Sequence, residues 1–183
     1  MVEGGHLAVY PGEPRRVRCR GYSEYRQHHR QGPPSRRRRK RGAQKQAIGR
    51  SRGGRTTKIH AIADTKGRII AFSLTEGNRH DLPPAQDLVG KIPAATTLLG
   101  DTAYDSDRFR TFLADRGTTP EIKQNPTRKT LHPFDPTAYR GRNVIERAFC
   151  LLKDWRRVAT RYDKLARNFT ATVILATIVR WWI

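Results

Sequence analysis

Acidic residues are scarce in this chain: 16 Asp and Glu stand against 37 Lys and Arg among 183 residues, a formal charge of +21. Such an excess repels itself in the compact state, so it points to a polyanionic partner. Nucleic acid is the first candidate, because neutralising phosphates releases condensed counterions; an anionic membrane surface is the alternative. Cysteine is scarce too. Cys19 and Cys150 make neither a metal-ligand spacing nor a disulfide framework, which fits a reduced, cytoplasmic compartment. Long apolar runs are missing. The closing stretch from Ala171 to Ile183 is interrupted by Arg180 and falls short of the ~20 residues a spanning helix needs. It reads as a buried terminal helix, and no membrane span is expected. The polar, Gly- and Pro-containing N-terminus shows no signal peptide.

What is present divides near Gly49. Residues 1–48 have almost no hydrophobic periodicity and contain a block of six like charges, Arg36 to Arg41. Such composition cannot bury enough apolar surface to offset ordering entropy, so this half is expected to be disordered. It reads as a solvated basic tail with some nonspecific DNA affinity, in preference to a dedicated recognition arm. Residues 49–183 are patterned as one domain. Thr56 to Ala63 alternates, Arg68 to Thr75 is rich in Ile, Phe and Leu, and Asp64-Thr65-Lys66-Gly67 between them predicts a β-hairpin. Asp81 before Leu82-Pro83-Pro84 predicts a capped helix to Val89. A buried strand follows over Thr96 to Gly100, then a helix over Asp105 to Arg116 closed by Gly117. A short strand over Pro120 to Lys123 and a Pro-containing loop to Pro136 come next. Two helices, about Tyr139 to Thr160 and Lys164 to Trp182, complete an α/β order with a mixed sheet.

Two carboxylates stand out. Asp101 ends a predicted buried strand, and in open α/β sheets ligands gather beyond the carboxyl ends of strands. Taken alone, a plain loop Asp or a helix cap is the readier reading. On a helix with ~100° per residue, Tyr139, Arg142, Glu146 and Lys153 fall within about a 60° arc. Val144, Ile145, Ala148, Leu151, Leu152, Trp155 and Val158 lie opposite. The polar stripe is equally what a solvated face with an i,i+4 pair such as Arg142 and Glu146 produces. Asp81 and Asp105 read as helix caps, His60 as a strand residue, and the three tryptophans as helical core.

Four stretches carry a resemblance. They are Gly49 to His60 (GRSRGGRTTKIH), Leu99 to Asp105 (LGDTAYD), the Tyr139/Arg142/Glu146/Lys153 set, and Lys153 to Asp163 (KDWRRVATRYD). Together they resemble the C-terminal part of DDE insertion-sequence transposases of the IS-five type, over about three-quarters of the chain. The resemblance implies an RNase H-like mixed sheet flanked by helices, with DNA strand cleavage and transfer at terminal inverted repeats. It implies three carboxylates around two divalent ions, with Mg²⁺ suiting an all-oxygen site and Mn²⁺ able to replace it. Asp101 is then the second acid and Glu146 the third, both as catalytic residues and metal ligands. Arg142 and Lys153 are phosphate contacts, and Tyr139 helps to position DNA. The expected partners are the inverted repeats and the target DNA, with a homodimer in the DNA complex and a nucleoid location. A noncatalytic basic nucleic-acid-binding protein, or an inactive remnant of a transposase, is the alternative.

The family's first Asp is expected in an Asp-Ser-Thr-hydrophobic stretch on the first core strand, and residues 1–48 contain no Asp. Arg26-Gln27-His28-His29-Arg30-Gln31-Gly32-Pro33-Pro34 can be encoded so that reading one nucleotide later gives Asp-Ser-Thr-Ile-Val-Arg-Ala-His. Codon degeneracy permits that reading without forcing it. The expectation is that residues before about Lys40 are out of frame, by ribosomal slippage or by a frameshifted gene. The first core strand is then absent, and the chain alone is inactive.

Overall fold

The computed structural model describes residues 5–7, 16–21, 23–26, 46–51 and 54–183, the first three stretches as backbone only. Its centre is a hairpin. β5 (Gly54–Ala63) pairs antiparallel with β6 (Ile69–Glu76), with Ile59 opposite Leu74 and Ala61 opposite Phe72. The expected turn chemistry joins them. Asp64 Oδ1 accepts the Lys66 and Arg68 N–H groups, both at 2.9 Å, and Gly67 has φ +81°. A Cβ on Gly67 would also lie 3.0 Å from Val144 Cγ1, so the hairpin tip abuts the helix that carries Glu146.

The period-2 alternation of β5 divides the core into two layers. Ile62 faces α1 (Leu82–Gly90) and α2 (Asp107–Asp115), packing with Leu88, Phe109 and Leu113. Ile59, Ala61 and Ala63 face α4 (Asn143–Lys153), α5 (Arg156–Ala159) and α6 (Ala166–Trp181), packing with Ile145, Phe149 and Phe169. Each of the Ile, Leu and Phe side chains contributes about 1.5–3 kcal/mol when fully buried. Beside the hairpin run two parallel strands, β7 (Thr97–Gly100) and β8 (Thr119–Ile122), in register from Thr97 opposite Thr119 to Gly100 opposite Ile122.

The sequence pattern left the place between β5 and β7 empty, and the structure corrects this. β2 (Arg16–Gly21) lies there, antiparallel to β5 and parallel to β7. β1 (Gly5–Leu7) and β3 (Ser23–Arg26) also pair with β5, as does β4 (Gly49–Ser51). The physical reason is that the inner edges of β5 and β7 both present backbone groups that need partners. The alternation in Arg16-Val17-Arg18-Cys19-Arg20 is a period-2 signal that the Arg content obscured. Residues 46–48 are described as well, with Ala47 buried, and the rest of the stretch expected to be disordered, the Arg36 to Arg41 block included, lies outside the described residues.

Two helical expectations also change. The single helix over Tyr139 to Thr160 is three: α3 (Pro136–Arg140), α4 and α5. Gly141 ends the first, and Trp155, extended at ψ 101°, makes the second break, between α4 and α5. The terminal helix is only half buried. Phe169, Val173 and Ala176 are inside, whereas Ile174, Leu175, Ile178, Val179 and Trp182 are exposed. Among the tryptophans only Trp181 packs on the core; Trp155 and Trp182 are exposed, so the expectation of three core tryptophans does not hold. Among the described residues no helix is long and apolar enough to cross a membrane.

Candidate active site

β7 delivers Asp101 from the interior. Leu98 and Leu99 are buried, and Asp101 follows the last strand residue half-buried. Its Oδ1 accepts the Ala103 N–H at 2.9 Å, capping a 3-10 turn over Thr102–Tyr104. Buried Tyr104 anchors that turn against Phe109, with ring centroids 6.2 Å apart. The cap role and a ligand role are compatible, because a carboxylate has about four acceptor positions.

Glu146 comes from the other layer. Ile145, Ala148, Phe149 and Leu152 lock α4 onto the sheet, and α4 also packs against β2, the neighbour of β7. Arg142, just ahead of α4, reaches Glu146 Oε1 with Nη2 at 3.5 Å and donates through Nη1 to the Tyr139 hydroxyl at 2.7 Å. Its guanidinium also lies 5.1 Å from the Tyr139 ring centre. The helix break therefore leaves Tyr139, Arg142 and Glu146 in one connected group. The i,i+4 pair of Arg142 and Glu146 is present as well. Lys153 stands half-buried at the end of α4.

Neither Asp81 nor Asp105 caps a helix through its side chain. Asp81 precedes α1 without a side-chain cap bond; its Oδ1 accepts instead from Lys58 Nζ at 3.0 Å. Burial raises its carboxyl above the ordinary range, outweighing that lysine. Ser106, not Asp105, occupies the cap position of α2. The Asp105 side chain is covered and accepts from Arg110 Nη2 at 2.9 Å, Arg128 Nη1 at 3.0 Å and the Asn125 N–H at 2.9 Å. Burial alone would raise its carboxyl, but these donors hold it below the usual carboxylate range. Arg128 also pairs with Asp107, which accepts from His132 at 2.9 Å. This network ties the loop before α3 to the Asp101 segment. No sequence spacing announced it, because the bonds from that loop span 20 to 25 residues.

His60 is a strand residue as expected. Its Nε2 meets Thr75 Oγ1 at 2.7 Å, while Nδ1 is buried without a partner among the described residues. Burial, then the charges of Lys58 and Arg79, lowers its pKa to about 3. The unfolded chain therefore binds the extra proton below about pH 6.5 while the folded chain refuses it. Stability is expected to fall as pH drops from about 6.5 towards 3, by up to about 1.4 kcal/mol per pH unit. The His60→Gln variant should flatten that acid limb in urea midpoints at pH 7, 5.5 and 4.5. An unchanged pH slope in the variant would assign the loss to other groups.

Asp101 and Glu146 are hard oxygen donors of the kind a divalent cation takes. Among the described residues no group of three or more His, Cys, Asp or Glu is placed to hold a metal ion. The chemistry of these two donors fits a divalent cation.

A family model described as Transposase DDE domain matches residues 26–181. The chain belongs to the DDE transposase family. It is 36% identical, over 127 residues, to a Brucella ovis protein named as a candidate transposase for insertion sequence element IS6501, a match that covers 69% of this chain and 98% of that protein. A Burkholderia cepacia protein, named likewise for insertion sequence element IS402, is 31% identical over 137 residues, covering 69% of this chain and 63% of that protein. The function of the chain thus lies in insertion-sequence transposition. DDE transposases bind DNA and generally work with divalent metal, which accords with the charge of +21.

Proposed function

We propose that this chain is the downstream catalytic part of an IS-five type transposase, in which Asp101 and Glu146 supply two of three metal-binding carboxylates. One observation supports this most. Asp101 leaves the C-terminal end of a parallel strand, while α4, carrying Glu146, packs on the strand beside it. The order β6, β5, β2, β7, β8, antiparallel and then parallel, supports reading the sheet as RNase H-like. Residues 49–183 carry both acids and the helices of the catalytic domain, and the basic segment 1–48 adds β1, β2 and β3 to its sheet. Mg²⁺ is the expected metal and Mn²⁺ a substitute. Arg142 and Lys153 contact phosphate, and Tyr139 positions the strand. The substrates are terminal inverted repeats and target DNA, held by a homodimer at the nucleoid in the cytoplasm.

The missing acid is the reason for a second part of the proposal. β2 takes the central place of the sheet, yet the first Asp in the chain is Asp64. Two carboxylates hold a metal pair poorly, so the chain alone does not cleave DNA. Reading the codons around Arg26 one nucleotide later restores the acid. Genomic DNA tests this: a shifted frame without an Asp codon near Arg26 rejects it. Strand cleavage by a frame-restored protein and its Glu146→Gln variant tests the metal assignment. Loss of cleavage with DNA binding retained supports it, whereas loss of binding favours a noncatalytic DNA-binding protein.

A further inference from the structure

β4 and β5 form a short hairpin in which Arg50 stands directly opposite Arg55. Both are exposed. Like charges placed directly across an antiparallel pair destabilise it, and among the described residues no carboxylate pairs with either guanidinium. Their side chains share one face of the ribbon, since directly opposed residues point the same way. An arrangement that costs stability in the free protein gains it when a polyanion lies along that face.

The position of the hairpin relative to Asp101 follows from register. Arg18 of β2 stands beside both Ala63 of β5 and Leu99 of β7. Since β5 runs antiparallel to β7, Asp101, two residues past Leu99, is level with Ala61. Arg55 lies six residues beyond Ala61 in the same direction (61 − 55). At ~3.3 Å per residue this is about 20 Å. The hairpin and Asp101 thus project from the same end of the sheet. A DNA strand advances ~3.4 Å per phosphate, so 20 Å corresponds to about six nucleotides. A close approach fixes the base of the hairpin: a Cβ on Gly49 would fall 2.7 Å from Glu76 Cβ, and one on Gly77 would fall 2.9 Å from Thr56 Cβ.

We propose that the Arg50–Arg55 pair is a phosphate clamp for duplex DNA, gripping the backbone about six nucleotides from the phosphodiester that lies at Asp101. The clamp rests on the transposase reading for the placement of the DNA. Its ligand is the sugar–phosphate backbone, so it contributes grip and register without base preference.

The test is the salt dependence of binding by the full chain to a 30-base-pair duplex of arbitrary sequence. Arg50→Ala/Arg55→Ala should reduce the log–log slope by about 1.8, from two phosphate contacts at about 0.9 each. Arg180→Ala, a cation on α6, serves as the control for net charge and should leave the slope nearly as it was. Arg55→Glu separates binding from folding. It places opposite charges across the ribbon, so the melting temperature should hold or rise while DNA affinity falls at least tenfold. An unchanged slope in the double Ala variant, or a change matched by Arg180→Ala, overturns the clamp and leaves the transposase reading intact. A parent chain whose DNA binding is insensitive to salt overturns both.

Discussion

The Arg161→Met variant is expected to melt about 10 °C below the parent chain, the larger of the stability effects the fold implies. Arg161 is fully buried, an unusual place for a guanidinium. Its Nε donates to the Asp163 carbonyl at 2.9 Å, Nη1 to the Ala47 carbonyl at 3.1 Å and Nη2 to the Gln46 carbonyl at 2.9 Å. Nη1 also reaches Thr57 Oγ1, and the guanidinium stacks 4.9 Å from the Phe169 ring centre. Burial lowers its pKa to about 10, which keeps it charged at neutral pH. One side chain thus joins the segment before β4, the middle of β5 and the start of α6. Ala47 is held at φ 49°, a strained conformation for a residue with a Cβ. Methionine keeps the aliphatic length but leaves the Gln46 and Asp163 carbonyls without their donor, at about 1–3 kcal/mol each. A total of about 3 kcal/mol corresponds to roughly 10 °C in a domain of this size. Arg157→Ala, removing the exposed partner of Asp163, should shift the melting point far less. Equal shifts in the two variants would mean that Arg161 is not the keystone.

The second large effect is catalytic. In the frame-restored protein, Glu146→Gln should lower Mg²⁺-dependent strand cleavage by more than about a hundredfold. Residues one shell removed from a metal already cost 10- to 100-fold when changed, so a direct ligand must cost more. The substitution keeps the shape of the side chain and its place on α4 beside Arg142. DNA affinity should therefore stay within a few-fold of the parent, or rise slightly with the loss of a negative charge. Cleavage that survives the change would remove Glu146 from the metal set.

Much of this was legible because it is local. The Asp64 to Gly67 turn, the alternation of β5 and the strand ending at Asp101 are each set by a few adjacent residues, and the structure holds all three. Family resemblance, more than periodicity, singled out Glu146. What was not legible depends on distant partners or on weak local preference. The break at Gly141 was hidden because Tyr139, Arg142 and Glu146 keep helical spacing across it and a lone glycine is tolerated inside a helical pattern. Asp105 looks like a cap until Arg110 and Arg128 are brought to it, and a buried Arg161 contradicts the ordinary behaviour of its side chain. β2 carries three arginines in six residues and yet fills the middle of a sheet, since the demand for backbone pairing outweighed composition.

The most direct measurement is Mg²⁺-dependent cleavage of a duplex that ends in the element's terminal repeat, made on the chain as it stands and on its frame-restored counterpart. No cleavage above background is expected from the present chain, and cleavage is expected once the first Asp is in place. Cleavage by the present chain would contradict this, because a carboxylate set lacking its first member would then be sufficient.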